Sequence, residues 1–280
     1  MMVILSAFLI ALIGLLVAGY LLKRKANVPL SIDADVWSIG IYLGDTLFNV
    51  ADTPWVRNPV LSAADVTDIV AQYVADPFMV REGEIWNMFF EVMNVRTGHG
   101  EIGHATSRDG FRWHYERIVL REPFHMSYPY VFKFQDQYYM IPESWNAQSI
   151  RLYQATKFPT EWTYLQTLIS GQSYVDSAVS FFNGYWWLFT TVERNLRLYH
   201  ANDLFSKWEE HPRSPILINH PNVKPLNAIR SAGRIICFNG DLIRFTQDLV
   251  PYYGIQVRAF RIKKLTLEDY DEEEWRSFPY

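Results

Sequence analysis

Residues 174–190 read YVDSAVSFFNGYWWLFT, a stretch with two β-prone runs on either side of one tight turn. Asp176 opens an alternating apolar run, Asn183-Gly184 interrupts it, and an aromatic run follows. Asn-Gly between two such runs is the strongest short-range hairpin signal, because both residues tolerate positive φ. The stretch therefore predicts two antiparallel strands joined by a two-residue turn.

The hairpin pattern recurs at three other places in the chain. Residues 76–90 repeat it with the same ten-residue step from an aspartate to a tryptophan, and residues 128–141 repeat it with Tyr128 in the position of the aspartate. A weaker copy, residues 231–240, ends in a second Asn-Gly pair. The chain is therefore predicted to contain four related units.

A second pair of candidate strands follows the hairpin in three of the units. The segments that align are residues 100–120, 149–169 and 195–216. The alignment brings one tryptophan of each segment to the same place: Trp113, Trp162 and Trp208. Their spacings of 49 and 46 residues lie in the range that is typical of propeller blades. Four short strands per unit predict an all-β propeller, in which each sheet packs against its neighbours.

Composition agrees with this fold and excludes some functions. The chain has 280 residues, 16% aromatics and a net charge of −4, so it has no basic footprint for nucleic acid. Its single cysteine, Cys237, excludes an intramolecular disulfide and a Cys-type zinc site, and we expect it to be buried. The histidines at 99, 104, 114 and 125 are not at zinc-ligand spacing, so neither a metal nor a cofactor is expected.

The amino-terminal segment reads as a membrane anchor. Residues 3–22 carry no charge and are long enough to cross a hydrocarbon core of about 30 Å as a helix. A cleaved signal peptide fits less well, because the apolar run is long and no basic region precedes it. Residues 23–25, Lys-Arg-Lys, place that flank in the cytoplasm by the positive-inside rule. Residues 1–25 are thus predicted to be a single-pass anchor, 26–35 a linker, and 36–280 a cytoplasmic propeller.

The number of blades follows from the ends of the propeller region. Residues 37–61 resemble the outer half of a blade, because an apolar strand is followed by a polar loop and a Pro-aliphatic step. Propellers commonly close by sharing one sheet between the two termini, which removes exposed strand edges. We therefore predict five blades, the last shared between residues 37–61 and 253–265. The acidic tail, residues 268–280, is interpreted as a solvated end.

Candidate chemistry lies where the innermost strands begin, since these strands converge on the central channel. Asp76, Tyr128 and Asp176 occupy the equivalent place in three units. Two carboxylates across a channel are what glycoside hydrolysis requires. The structural alternative is that Asp76 caps the turn before Pro77 and that Asp176 satisfies backbone donors. The sequence leaves these two interpretations open.

Several segments together carry a resemblance to known families. They are Asn58-Pro59-Val60-Leu61, Val74-Ala75-Asp76-Pro77-Phe78, Met88-Phe89-Phe90-Glu91-Val92, Glu122-Pro123-Phe124-His125, Ser127-Tyr128-Pro129-Tyr130-Val131-Phe132, Ile141-Pro142-Glu143-Ser144 and Tyr174-Val175-Asp176-Ser177. Residues 105–113, ATSRDGFRW, add to the set. The layout resembles the five-bladed propellers of arabinanase and β-xylosidase-type glycoside hydrolases. It is more similar to the amino-terminal propeller of plant glucosamine inositolphosphorylceramide transferase and its bacterial relatives.

The resemblance implies roles for some residues and also reveals a departure. In the hydrolases the first three blades supply Asp, Asp and Glu as base, pKa modulator and acid. Asp76 matches the first position, whereas Tyr128 stands at the second and Asp176 at the third. The hydrolytic set is therefore incomplete in this chain. In the plant transferase, glycosyl transfer is attributed to a separate carboxyl-terminal domain, which makes a glycosyltransferase the implied partner.

Our hypothesis is a membrane-anchored, glycosidase-like propeller that binds a carbohydrate or sugar-lipid headgroup. It acts in, or as an accessory to, glycan or glycolipid synthesis or processing. The candidate catalytic residues are Asp76, Glu143 and Asp176. The candidate substrate-binding residues are Glu91, His125, Tyr128, Tyr130, Trp145, Arg230 and Arg234, with the two arginines available for a phosphate or carboxylate. The alternative is a protein-interaction scaffold with a non-catalytic propeller.

Overall fold

Short β-prone runs and tight turns fold into successive antiparallel sheets. The computed structural model describes residues 37–44, 50–218, 229–249 and 253–279. The predicted anchor at 3–22 and the linker at 26–35 lie outside the described residues. Within the described ranges, no helix combines the length and apolarity needed to cross a bilayer.

In these described ranges, the strands form one small sheet and four blades. The small sheet consists of β1 (Leu43–Gly44) and β2 (Val50–Ala51). Blade 1 contains β3 (Ala71–Glu82), β4 (Ile85–Asn94), β5 (His99–Ser107) and β6 (His114–Leu120). Blade 2 contains β7 (Ser127–Phe134), β8 (Gln137–Glu143), β9 (Ser149–Lys157) and β10 (Glu161–Ser170). Blade 3 contains β11 (Val175–Phe182), β12 (Tyr185–Val192), β13 (Asn195–Ala201) and β14 (Glu209–Glu210), and β15 (Leu217–Ile218) also pairs with β13. Blade 4 contains β16 (Ile236–Phe238), β17 (Asp241–Asp248), β18 (Gln256–Leu265) and β19 (Tyr270–Pro279). Two short 3-10 helices cover Ala63–Asp65 and Trp145–Ala147.

Each of these blades is a meander in which strands follow one another in sequence order. The first strands of neighbouring blades lie against each other, β3 against β7 and β7 against β11. Arg234, just before β16, reaches the backbone carbonyls of Met79 in β3 and Val131 in β7. The inner segments of all four blades therefore meet at one axis. The predicted all-β propeller is confirmed, with four blades in the described residues.

Aromatic side chains fill the wedges between blades, as their abundance predicts. Phe89 of blade 1 meets Trp162 of blade 2 edge to face, with ring centroids 5.4 Å apart. Phe134 of blade 2 meets Trp186 of blade 3 in the same way at 5.0 Å. Such pairs add to the hydrophobic gain from burying large rings. The aligned tryptophans also share one contact, an indole N–H that donates to a carbonyl three or four residues earlier. The pairs are Trp113 and Gly110, Trp162 and Pro159, and Trp208 and Leu204.

The predicted hairpin turns are confirmed by their backbone angles. Asn183 and Gly184 have φ of 50° and 84°, and Asn239 and Gly240 have φ of 51° and 89°. Positive φ at both central residues gives the turn a twist that matches the flanking strands. Cys237, in contrast, is exposed rather than buried, because it lies in a three-residue strand next to this turn.

The prediction for the carboxyl terminus is wrong in two respects. Residues 256–265 do not complete a sheet with residues 37–61, because β18 pairs with β17 and β19 inside blade 4. The acidic tail is not a solvated end, because it forms β19, whose acidic side chains pair with basic residues of β17 and β18. Those ion pairs include Arg244–Glu272, Arg258–Glu274 and Arg261–Glu273. The acidic residues that suggested a solvated tail are thus the acidic partners in ion pairs between strands.

Candidate functional site

Three inner strands contain the same irregularity. Asp76, Tyr128 and Asp176 have φ of 52°, 46° and 49°, and each lies at a register shift between its strand and the next. Positive φ is uncommon outside glycine and is an outlier for a bulky residue such as tyrosine. A bulge of this kind re-aims a side chain, and such strain clusters at functional sites. The three positions that the sequence predicts to be equivalent therefore share one backbone geometry.

Acidic side chains connect these bulges from blade to blade. The Asp76 carboxylate accepts a hydrogen bond from the backbone N–H of Tyr128. In the same manner, Glu143 Oε2 accepts one from the backbone N–H of Asp176 at 3.0 Å. Each acid thus satisfies a donor that a regular strand would have paired in its ladder. We call the end of the axis where these residues meet the mouth, formed by Asp76, Glu91, Glu143, Asp176 and Arg230.

One arginine covers the acids of blades 2 and 3. Arg230 Nε donates to Asp176 Oδ2 at 2.6 Å, and its Nη2 lies 3.8 Å from Glu143 Oε2. Gln247 donates to the same Asp176 oxygen at 3.1 Å. The Arg230 guanidinium also lies over the Tyr253 ring, 5.5 Å from its centroid. Asp176 is 1% exposed and Glu143 6%, so these two acids are sealed beneath the arginine.

Three acids of the mouth have raised pKa values. Burial, then the charge of Asp176, raises the pKa of Asp76 to about 7. Burial, then the charge of Asp76, raises the pKa of Glu91 to about 8. Burial and the neighbouring Asp176 also raise the pKa of Glu143 well above its usual range. Buried carboxyl groups that lie close to one another therefore hold protons that solvated carboxyl groups would release.

Glu91 has two partners that come from equivalent positions of blades 1 and 2. The Tyr73 hydroxyl donates to Glu91 Oε1 at 3.2 Å, and His125 Nε2 lies 3.5 Å from the same oxygen. His125 Nδ1 accepts a hydrogen bond from the Gly100 N–H at 3.0 Å, so the ring proton of neutral His125 is on Nε2. Burial, then His99, lowers the pKa of His125 and favours this neutral form. Tyr73 was not predicted, although it stands three residues before Asp76 as His125 stands three before Tyr128.

Gly100 is required next to this cluster. A Cβ at Gly100 would lie 2.3 Å from the Met126 carbonyl oxygen and 2.9 Å from Glu91 Oε1. The absence of a side chain at Gly100 therefore lets β5, the start of β7 and the Glu91 carboxyl approach one another.

Three of the predicted binding residues lie inside the axis, below the mouth. The Tyr128 hydroxyl accepts from the Gly233 N–H at 2.7 Å and donates to the Gly233 carbonyl at 3.0 Å. The Tyr130 hydroxyl donates to the Val179 carbonyl. The Arg234 guanidinium donates to two carbonyls and lies over the rings of Phe78 and Tyr130, 5.4 and 5.1 Å from their centroids. These side chains close the axis and link blades, which differs from the expected contact with ligand.

Trp145 lies on the mouth side, in the 3-10 helix that follows Glu143, and it is 41% exposed. The structure therefore brings Asp76, Glu91, Glu143, Asp176, His125 and Arg230 together. It places Trp145 at the rim and Tyr128, Tyr130 and Arg234 beneath. In the described ranges, no three His, Cys, Asp or Glu side chains are arranged to hold a metal ion. A separate surface groove lies along β6, lined by Asp68 and residues 116–121, and none of the mouth residues lines it.

Gln247 and Tyr253 contact the mouth but were not predicted either. Gln247 lies on β17 and Tyr253 on the loop after it, and both are distant in sequence from the acids that they approach. The repeat pattern is weakest in blade 4, so it offered no signal for either residue. Only the closure of the blades around the axis brings them to Asp176 and Arg230.

Comparisons with known proteins identify relatives of this chain. A family model described as glucosamine inositolphosphorylceramide transferase 1, N-terminal, matches residues 32–277. The chain is 38% identical over 259 residues to glucosamine inositolphosphorylceramide transferase 1 of Oryza sativa subsp. japonica, covering 84% of this chain and 34% of that protein. It is 32% identical over 261 residues to the Arabidopsis thaliana protein of the same name, covering 85% and 34%. The chain thus spans about a third of the length of these curated relatives.

Solved structures with the same fold are glycoside hydrolases. A β-xylosidase superposes with a TM-score of 0.64 at 13% identity, covering 82% of both chains. The exo-β-1,3-galactanase of Phanerochaete chrysosporium superposes with a TM-score of 0.60 at 13% identity, covering 76% of this chain and 50% of that one. At such identities the likeness establishes the propeller fold alone. Because the family model spans most of the sequence, the chain belongs to the family of the N-terminal domain of glucosamine inositolphosphorylceramide transferase 1.

Proposed function

We propose that the mouth of this propeller binds a carbohydrate or sugar-lipid headgroup and that the protein serves glycolipid synthesis or processing. The relatives are named for a transfer of glucosamine to inositolphosphorylceramide, a glycolipid reaction. The chain matches about a third of each relative, and we propose that a glycosyltransferase works with the propeller and carries out the transfer itself. The propeller would present the acceptor or product headgroup to that partner.

The observation that carries this proposal is the position of Asp76 at the mouth together with its raised pKa. Its side chain is half-buried at the mouth, and its pKa of about 7 lets it accept or donate a hydrogen bond near neutral pH. Sugar hydroxyls offer both donors and acceptors, so a carboxyl group that can do either suits them. Trp145 extends the same surface with an exposed ring, and the buried Glu91 supplies a second carboxyl with a raised pKa at the mouth. An exposed indole supplies an apolar face for a sugar ring.

A binding role fits the mouth better than complete hydrolysis. The second familial carboxylate is replaced by Tyr128, whose hydroxyl is engaged with Gly233. The third position, Asp176, is buried and paired with Arg230. If the protein does process a glycoside, Asp76 is the base or nucleophile. Substitution of Asp76 by Asn should then lower turnover by roughly two to four orders of magnitude.

A scaffold role is the second candidate, and one observation favours it. Asp176 and Glu143 are engaged with Arg230 and with backbone donors, as a structural role for these acids requires. In that case the residues of the mouth would only stabilise the fold, and a partner protein would bind elsewhere on the blades. This candidate predicts that loss of the Asp76 charge leaves all sugar binding unchanged.

The architecture is also part of the proposal. Residues 3–22 would anchor the chain in the membrane by one helix, with the propeller on the cytoplasmic side. Residues 37–61 would supply strands of a fifth blade, because Ile39 pairs with Leu61 as Leu196 pairs with Leu217 in blade 3. In the part of the chain that the structure describes, the four strands of blade 4 pair with one another and not with residues 37–61.

Calorimetric titration of the full chain in lipid nanodiscs tests the binding role. The panel contains neutral oligosaccharides, nucleotide sugars and inositol-phosphate lipids, each with the natural sequence, Asp76→Asn and Asp136→Asn. Asp136 is the matched control, because it also has positive φ, 61°, but lies in the β7–β8 turn with its side chain 97% exposed. We expect binding that weakens at least about tenfold in Asp76→Asn alone, the loss of one charge-assisted hydrogen bond. The proposal is contradicted if no member of the panel binds, or if all three proteins bind with equal affinity.

A further inference from the structure

Exposed hydrophobic side chains mark the side of the propeller on which the mouth opens. We call this side the mouth face, defined by the loops before each inner strand and those between the second and third strands of each blade. Val70, Val95, Trp145 and Tyr253 lie on these loops and are 70%, 57%, 41% and 51% exposed. They come from three blades, so the apolar character belongs to the face and not to one loop.

The opposite face has a different composition. Its turns carry charged residues, among them Glu84, Arg108, Asp109, Arg112, Asp136, Lys207 and Asp269. Its exposed rings pack on neighbours, Phe181 against Trp186 at 5.5 Å and Phe205 against Tyr139 at 5.6 Å. On the mouth face the exposed charges are of both signs, with Arg96 directly after Val95 and Arg194 next to Glu193 on the β12–β13 turn. Apolar side chains interspersed with arginines are typical of surfaces that lie at a lipid headgroup layer.

The described part of the chain also begins at this face. The Trp37 carbonyl accepts a hydrogen bond from the Val74 N–H, two residues before Asp76. The Trp37 ring meets Tyr253 edge to face at 5.8 Å, and Tyr253 lies under Arg230. The 14 residues from 23 to 36 separate Trp37 from the predicted anchor and span at most roughly 50 Å. Among the described residues, Trp37 is the nearest in sequence to the predicted anchor, and it lies beside the mouth.

We infer that the mouth face lies against the lipid bilayer, so that the mouth meets a headgroup still held in the membrane. Tryptophan and tyrosine favour the membrane–water interface, since their rings are apolar and their polar atoms remain hydrated. Trp37, Trp145 and Tyr253 stand around the mouth in this role. The inference rests on the proposed headgroup binding and on the proposed anchor, and it adds the place where the ligand is bound.

The test uses the single cysteine of the chain. In a Cys237→Ser background, Val95→Cys or Phe181→Cys is labelled with an environment-sensitive fluorophore, and the full chain is placed in phosphatidylcholine nanodiscs containing spin-labelled lipids. Val95 and Phe181 are both 57% exposed but lie on opposite faces, which makes them a matched pair. We expect blue-shifted emission and quenching by headgroup and upper-chain spin labels for Val95→Cys, and neither for Phe181→Cys. Interfacial side chains of this kind reach about 5–10 Å into the bilayer boundary.

Equal quenching at both positions, or none at Val95→Cys, overturns the inference. A label at Val95→Cys that is shielded from aqueous iodide but not quenched by lipid would indicate a protein on this face and also overturns it. Sugar titration of the same samples separates the two proposals. Binding without quenching refutes the membrane contact alone, whereas quenching without any sugar binding supports the contact and refutes the headgroup function.

Discussion

Arg230 Nε and Asp176 Oδ2 are 2.6 Å apart at the mouth of the propeller, and Asp176 is 1% exposed. The two residues are 54 positions apart in the sequence and belong to adjoining blades. After burial, the neighbouring Asp176 is the largest cause that raises the pKa of both Asp76 and Glu143. Asp176 raises these pKa values and Arg230 lowers them, so the pair contributes with opposite signs to the protonation of its neighbours.

Removal of the Arg230 cation should destabilise the fold. Arg230→Met leaves Asp176 buried without its partner, which costs about 3–5 kcal/mol in comparable pairs. Denaturant unfolding of the full chain measures this loss. The double variant Arg230→Met/Asp176→Asn should recover part of it, because the stranded charge is gone. Equal midpoints for the natural sequence and Arg230→Met would show that the pair carries no stability.

Stability should fall as the pH rises from 5 to 8. The folded-state pKa values of Asp76 and Glu91, about 7 and about 8, lie above the ordinary values near 4. The folded protein then binds more protons than the unfolded chain, so each group lowers stability by up to about 1.4 kcal/mol per pH unit in that window. Asp76→Asn removes one contribution and should flatten the curve. Asp136→Asn is the control, and an identical pH slope in both variants would contradict the raised pKa of Asp76.

Tyr128 should contribute to stability more than to ligand binding. Tyr128→Phe removes the hydroxyl that pairs with both backbone groups of Gly233 inside the axis. Unpaired buried polar groups cost about 1–3 kcal/mol. We expect a lower unfolding midpoint with unchanged sugar affinity, whereas Tyr42→Phe, on a tyrosine that is 51% exposed, should change neither. A loss of affinity without loss of stability would instead place Tyr128 in contact with the ligand.

The carboxyl-terminal strand should be essential to blade 4. Arg244 is 1% exposed, and its Nε lies 3.0 Å from Glu272 Oε2, so Glu272→Gln removes the carboxylate charge that this buried guanidinium faces. We expect a cost of about 3–5 kcal/mol by thermal or denaturant unfolding. The neighbouring Glu273→Gln serves as control, because its ion pair with Arg261 is exposed and its loss should barely move the midpoint. Similar effects of both variants would refute the buried role of Glu272.

Local sequence determined the blades and the equivalence of their positions. Alternating apolar residues and Asn-Gly turns specify strands and hairpins through contacts a few residues apart, which is why the Asn183-Gly184 turn was correctly predicted. The same repeat identified Asp76, Tyr128 and Asp176 as related positions before their shared positive φ was known. Because the repeat units place corresponding residues at the same level along the propeller axis, the acids of the mouth could also be predicted as a group.

Tertiary structure alone decided how those residues are used. The pairing of β18 with β17 and β19, the Arg230–Asp176 contact and the closure of the axis by Arg234 all join positions far apart in the chain. A periodic pattern specifies which face of a strand is buried but not which distant partner meets it. The side chains at the mouth acquire their protonation and their partners only when the blades close around one axis, because burial and neighbouring charge set both.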